Sequence, residues 1–150
     1  LAAAGIAVQV VNGITAGLAG MTLLGAPLTH RQHAHGVVFI TGHHQPGGHP
    51  TNWRQLAATA RDARLTLVIY MGVKSCAYIQ AELLTALPAH MPAAVIQHAS
   101  LPQQRHAVTT LGQLQQTIER EALASPSIIV IGDVLRGLAA AAQAASAGRN

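Results

Sequence analysis

One cysteine, Cys76, stands in the whole chain, so neither an internal disulfide nor a cysteine-cluster zinc site is available. Aromatic residues are nearly as scarce, with one Trp, two Tyr and one Phe. A core with so few rings is built from Ala, Val, Leu and Ile, a bias that suits a helix-covered parallel or mixed sheet. The same scarcity removes the stacking platforms that single-stranded nucleic acid needs. Charged residues are only 9% of the chain, and five acids face nine Lys and Arg. Those cations are scattered along the sequence, so nucleic acid is not expected as a partner, whereas a small polyanionic ligand fits the basic balance.

Long hydrophobic runs are missing too. The stretch Ile14 to Leu28 is short and interrupted by glycines, which favours a buried helix over a membrane span. The opening residues carry no basic region of a signal peptide, and a cytoplasmic location is expected. The first residue is Leu, inside an apolar Ala-rich run, and the chain is expected to be part of something longer.

What is present begins with Leu65-Thr66-Leu67-Val68-Ile69-Tyr70-Met71-Gly72, a buried-strand pattern that stops at a small corner. Val8 to Val11 running into Asn12-Gly13-Ile14-Thr15-Ala16 repeats the arrangement. Open α/β sheets bind ligands at such strand ends. The pattern predicts further strands at Val37–Thr41, Ala93–Gln97, His106–Thr109 and Ser127–Ile131. It predicts helices at Ile14–Leu24, Trp53–Ala63, Ser75 to about Leu87, and Leu111–Glu121. Gly25-Ala26-Pro27 ends the first helix, and Thr51-Asn52 caps the second.

Gly13, Gly17 and Gly20 match neither the dinucleotide fingerprint nor a phosphate loop, and close helix packing accounts better for Gly17 and Gly20. Free amides at the start of the first helix, with the Thr15 hydroxyl, are placed to meet a ligand's polar groups. His43, His44 and His49 lie in a Gly-, His- and Pro-rich loop, but adjacent histidines point apart and the loop holds no acid or cysteine. A metal site is therefore not expected, and His43 alone, just after a strand, faces a ligand more readily. No nucleophile–base pair and no general acid/base pair emerges, so no catalytic residue is named. Asp133 is the one acid at a strand end.

Six segments in order resemble the tetrapyrrole methylase family. They are Val11-Asn12-Gly13-Ile14-Thr15-Ala16, Gly25-Ala26-Pro27-Leu28-Thr29-His30-Arg31, Val38-Phe39-Ile40-Thr41-Gly42-His43, Leu67-Val68-Ile69-Tyr70-Met71-Gly72, Ala99-Ser100-Leu101-Pro102-Gln103-Gln104-Arg105, and Ile129-Val130-Ile131-Gly132. The Pro27 to Arg31 segment points to the members acting on uroporphyrinogen III. Cobalt-precorrin and rRNA methylases remain the alternatives within the family, and a non-catalytic metal-binding module using the histidine loop is the distant one outside it.

The resemblance implies an α/β fold of two domains with S-adenosylmethionine in the cleft between them. Residues 1–35 would end the first domain, 36–136 would form the second with a mixed sheet, and 137–150 would be an Ala-rich tail. Thr15, Ala16 and Met71 match cofactor contacts of the family. Ala99 stands where the family usually has a cofactor-lining glycine, and Asn12 where it has a proline. The implied reaction is methylation of uroporphyrinogen III to precorrin-2, on the way to sirohaem or cobalamin. The substrate's eight carboxylates make Arg31, His43 and Arg105 its candidate partners. A homodimer is expected. The family's amino-terminal strand, its Gly-Gly-Asp loop and its proposed acid and base have no counterpart here, so the chain alone is expected to be inactive.

Overall fold

The computed structural model describes residues 1–43 and 47–138. His44 of the histidine loop and nearly all of the Ala-rich tail lie outside the described residues. A five-stranded mixed sheet forms the centre, with strands β1 (Gly36–Thr41), β2 (Leu65–Tyr70), β3 (Pro92–Gln97), β4 (Arg105–Thr110) and β5 (Ser127–Ile131). Their spatial order is β1-β2-β5-β3-β4. β1 and β2 run parallel, joined by helix α2 (Trp53–Asp62), and every other pairing is antiparallel.

Both faces of the central strands are buried, which is why β2 and β5 read as continuous apolar runs rather than alternating ones. Leu67, Ile69, Ala93, Val95, Ile129 and Ile131 face a core completed by α2, α3 (Cys76–Leu83) and α4 (Leu114–Arg120). Val68, Ala94, Ile96, Ile128 and Val130 face the other way, against Met21 of helix α1 (Ala16–Leu24). Met21 is 1% exposed, and burying it contributes roughly 1.5–3 kcal/mol. The helix approaches closely because Gly17 and Gly20 turn no side chain to the sheet: a Cβ on Gly20 would stand 2.9 Å from Ile128 Cδ1. Gly25, in the left-handed region at φ 70°, closes α1. Thus α1, grouped with the first domain by sequence, lies against the sheet that β1 begins.

Asn52 caps α2 by accepting from the Gln55 amide. β2 and β5 match their sequence-predicted bounds. Helices α3 and α4 are shorter than predicted, each entered through a 3-10 turn, at Val73–Ser75 and Leu111–Gln113. The expected strand at Val8–Val11 is corrected: it pairs with nothing among the described residues, and Val10 is 88% exposed. β-branched residues favour a strand only where a neighbouring strand takes up their backbone groups.

Candidate functional site

The strand directions bring the carboxy ends of β1, β2 and β3 to one sheet edge, beside the amino ends of β4 and β5. There Tyr70, Ile128 and Ile96 stand in one row across β2, β5 and β3, on the α1 face. Above that row opens a cavity of about 330 Å³, lined by Ala16, Tyr70, Met71, His98, Ala99 and Leu101 among others. Ser125, Pro126 and Ser127, leading into β5, complete its wall.

Backbone geometry shapes the rim. Met71 turns out of β2 at φ 53°, a left-handed conformation that costs a non-glycine residue roughly 1–3 kcal/mol. The side chain stays 60% exposed, so ordinary core burial does not repay this strain. The turn is held because the Gly42 amide donates to the Tyr70 carbonyl at 2.6 Å. The loops after β1 and β2 then touch directly, and a Cβ on Gly42 would lie 2.5 Å from Gly72 Cα. After β3 the chain turns through His98 at φ 52° and Ser100 at φ 69°. Ala99, in the place of the usual glycine, is not left-handed, so the strain falls on its neighbours. The His98 amide donates to the Pro126 carbonyl, and the Ser100 amide to Gln104 Oε1.

The start of α1 is tied to this rim by a tyrosine. The Gly17 amide donates to the Tyr70 hydroxyl at 3.2 Å, and that hydroxyl shares a hydrogen bond with Thr15 Oγ1, 2.5 Å away. One of the helix's unpaired amides is thereby satisfied by the neighbouring strand. The Tyr70 ring stacks against Phe39 of β1 at 6.3 Å between centroids.

Ala16, Met71 and Ala99 therefore line one cavity, and Thr15 is joined to its wall through Tyr70. His43, in the loop after outer strand β1, and Arg105, at the start of outer strand β4, lie at the same sheet edge, and neither lines the cavity. The Arg105 guanidinium donates to the Glu121 carbonyl at 2.7 Å. Arg31 lies at the opposite edge, in the turn closed by the His30–Ala34 bridge just before β1. The sequence pattern marks Tyr70 as part of the corner after β2 but gives it no site role, and it does not mark His98; the period-two alternation of β2, with Val68 on the α1 face, is the signal that would have turned Tyr70 towards the site.

Among the described residues no group of three His, Cys, Asp or Glu side chains gathers as a metal site. Cys76 is fully buried, and desolvation, reinforced by Glu119, pushes its thiol up to about 12. A thiol held protonated is a packing group, not a nucleophile.

Residues 1–115 match the family model for tetrapyrrole (corrin/porphyrin) methylases. The chain belongs to that family. A uroporphyrinogen-III C-methyltransferase of Pseudomonas aeruginosa is 45% identical over 139 residues, covering 92% of this chain and 55% of that protein. A siroheme synthase of Azotobacter vinelandii is 42% identical over 137 residues, covering 91% of this chain and 29% of that protein. The chain thus spans about half of the one relative and under a third of the other. Among solved structures, a uroporphyrin-III C-methyl transferase from Thermus thermophilus complexed with S-adenosylhomocysteine superposes with a TM-score of 0.67 at 33% identity. It matches 90% of this chain and 57% of the other. A cobalt precorrin-4 methyltransferase, at 18% identity and a TM-score of 0.78, shares the tetrapyrrole methylase fold.

Proposed function

We propose that this chain is the S-adenosylmethionine-binding, carboxy-terminal part of a methyltransferase that converts uroporphyrinogen III to precorrin-2. What carries the reading is the meeting of Ala16, Met71 and Ala99 in one cavity at a strand edge, with Thr15 bound to its wall. The cavity suits the cofactor's chemistry. Its apolar walls can take a ring system, and the strained turns at Met71 and His98 bring backbone groups to its rim.

When bound, the cofactor supplies a methyl group on a positively charged sulfur to an electron-rich pyrrole carbon. The protein's task is chiefly to align the two carbons and exclude water. Ala16 and Ala99 leave room for the ligand, Tyr70 fixes the start of α1, and Met71 covers the rim. Arg105 and His43 belong to the reading as partners for substrate carboxylates at the same edge. Arg31, at the opposite edge, would serve a carboxylate only if the substrate or another subunit reached it. Residues 1–35 as the end of a first domain, 36–136 as the second, homodimeric assembly and a cytoplasmic location complete the proposal.

The full-length protein containing this chain is expected to transfer labelled methyl from S-adenosylmethionine to uroporphyrinogen III, and the 150-residue chain alone is not. Methylation of a cobalt-precorrin or of rRNA instead, with uroporphyrinogen untouched, would overturn the substrate assignment.

A further inference from the structure

The opposite sheet edge holds a second cavity, of about 370 Å³, that the cofactor reading does not use. Its lining includes Arg61, Arg64, Arg136, His33 and His90, with Asp133 as the carboxylate among them. Arg61 and Arg64 close helix α2, His33 comes from the turn before β1, and His90 from the connection between α3 and β3. Asp133 and Arg136 follow β5.

Two of the guanidiniums are already balanced. Arg61 Nε lies 2.8 Å from Asp62 Oδ1, and Arg136 Nη2 lies 2.9 Å from Asp133 Oδ1. Arg64 is different. Among the described residues it has no carboxylate partner; its Nη1 donates only to the neutral carbonyl of Gln32, at 3.2 Å. Its backbone is fixed in a left-handed turn at φ 51°, and its carbonyl accepts from the His35 amide at 2.8 Å. A solvent-exposed cation is therefore held by its backbone at the wall of an open cleft, with donors to spare. The neighbouring rings add capacity for donation, His33 being held by stacking on His30 at 4.6 Å.

A planar guanidinium with free donors matches the oxygens of a phosphate or carboxylate in a paired geometry. We infer that this cleft binds a small oxyanion, a phosphate or carboxylate group, with the Arg64 guanidinium as its principal partner and Arg136 and His90 beside it. The inference is independent of the cofactor cavity at the other edge and does not stand or fall with it.

The test is calorimetric titration of the full-length protein containing this chain with inorganic phosphate and, separately, with succinate, at ionic strength held constant with sodium chloride. Saturable one-to-one binding of either anion with a dissociation constant below about 10 mM is expected, and the tighter of the two identifies the source. Arg64→Gln is expected to weaken it at least tenfold and Arg136→Gln severalfold, while Arg120→Gln, on the far end of α4, leaves it unchanged. Circular dichroism confirms that each variant is folded. Absence of saturable binding by either anion overturns the inference. So does binding that Arg64→Gln leaves intact, or that Arg120→Gln weakens equally.

Discussion

The Tyr70 hydroxyl stands 2.5 Å from Thr15 Oγ1, although 55 residues separate the two along the chain. This contact joins the end of β2 to the start of the helix lying on the sheet. The same hydroxyl accepts from the Gly17 amide, so one side chain fixes both the helix start and one wall of the cavity.

Tyr70→Phe removes that hydroxyl and leaves the Gly17 amide without its partner. The expected cost is about 1–3 kcal/mol of stability, read from urea denaturation. S-adenosylhomocysteine affinity in the full-length protein is expected to fall severalfold, because Thr15 and Ala16 lose their tether. Unchanged stability and affinity would show that water replaces the tyrosine without loss.

Gly42→Ala places a Cβ 2.5 Å from Gly72 Cα, a backbone neighbour that cannot rotate away. Separation of the two strand-end loops is expected, with a stability loss of about 1–3 kcal/mol. Cofactor affinity should drop as well, because the Met71 turn depends on the Gly42 amide. Melting temperature and calorimetry on the same variant check both effects.

Met71→Gly separates strain from binding. Glycine adopts φ 53° without steric cost, which offsets the extra chain entropy it loses on folding. Stability is expected to change by less than about 1 kcal/mol, while the cofactor loses a side chain at the rim and binds more weakly. A variant with wild-type affinity would remove Met71 from the site.

Cys76 gives a pH test. Its thiol is raised from 9.0 to about 12 in the folded chain, so between those values the unfolded state has released a proton that the folded state retains. Stability is therefore complete below pH 9 and falls as pH rises towards 12, by at most about 1.4 kcal/mol per pH unit. Cys76→Ala should flatten that decline in urea titrations, and the native thiol should resist alkylation at pH 8.

Much of the sheet was legible from residue order because β2 and β5 are buried on both faces, and a run such as Ser127–Ile131 has no other stable use. Gly25 and Asn52 announced their helix boundaries through local chemistry that needs no distant partner. Val8–Val11 misled because a β-branched run specifies a strand only when another strand pairs with it. The cavity was half legible: its corners carry motifs, but its floor does not. Tyr70, Ile128 and Ile96 become neighbours only because β5 inserts between β2 and β3, a choice no local pattern records. Arg31 and His43 flank β1 and so stand at opposite edges, which the one predicted strand already implied; only the directions of β3 and β4 add Arg105 to the His43 edge.

The most direct measurement is calorimetric titration of the full-length protein with S-adenosylhomocysteine, comparing the wild type with Ala99→Leu. Ala99 lines the cavity from the loop after β3 and packs against the α1-face core, so a leucine there takes up cavity space, and the melting temperature checks that the core is kept. At least a tenfold loss of affinity with the melting temperature retained is expected. Wild-type affinity in a folded Ala99→Leu protein would contradict the assignment of the cofactor to this cavity.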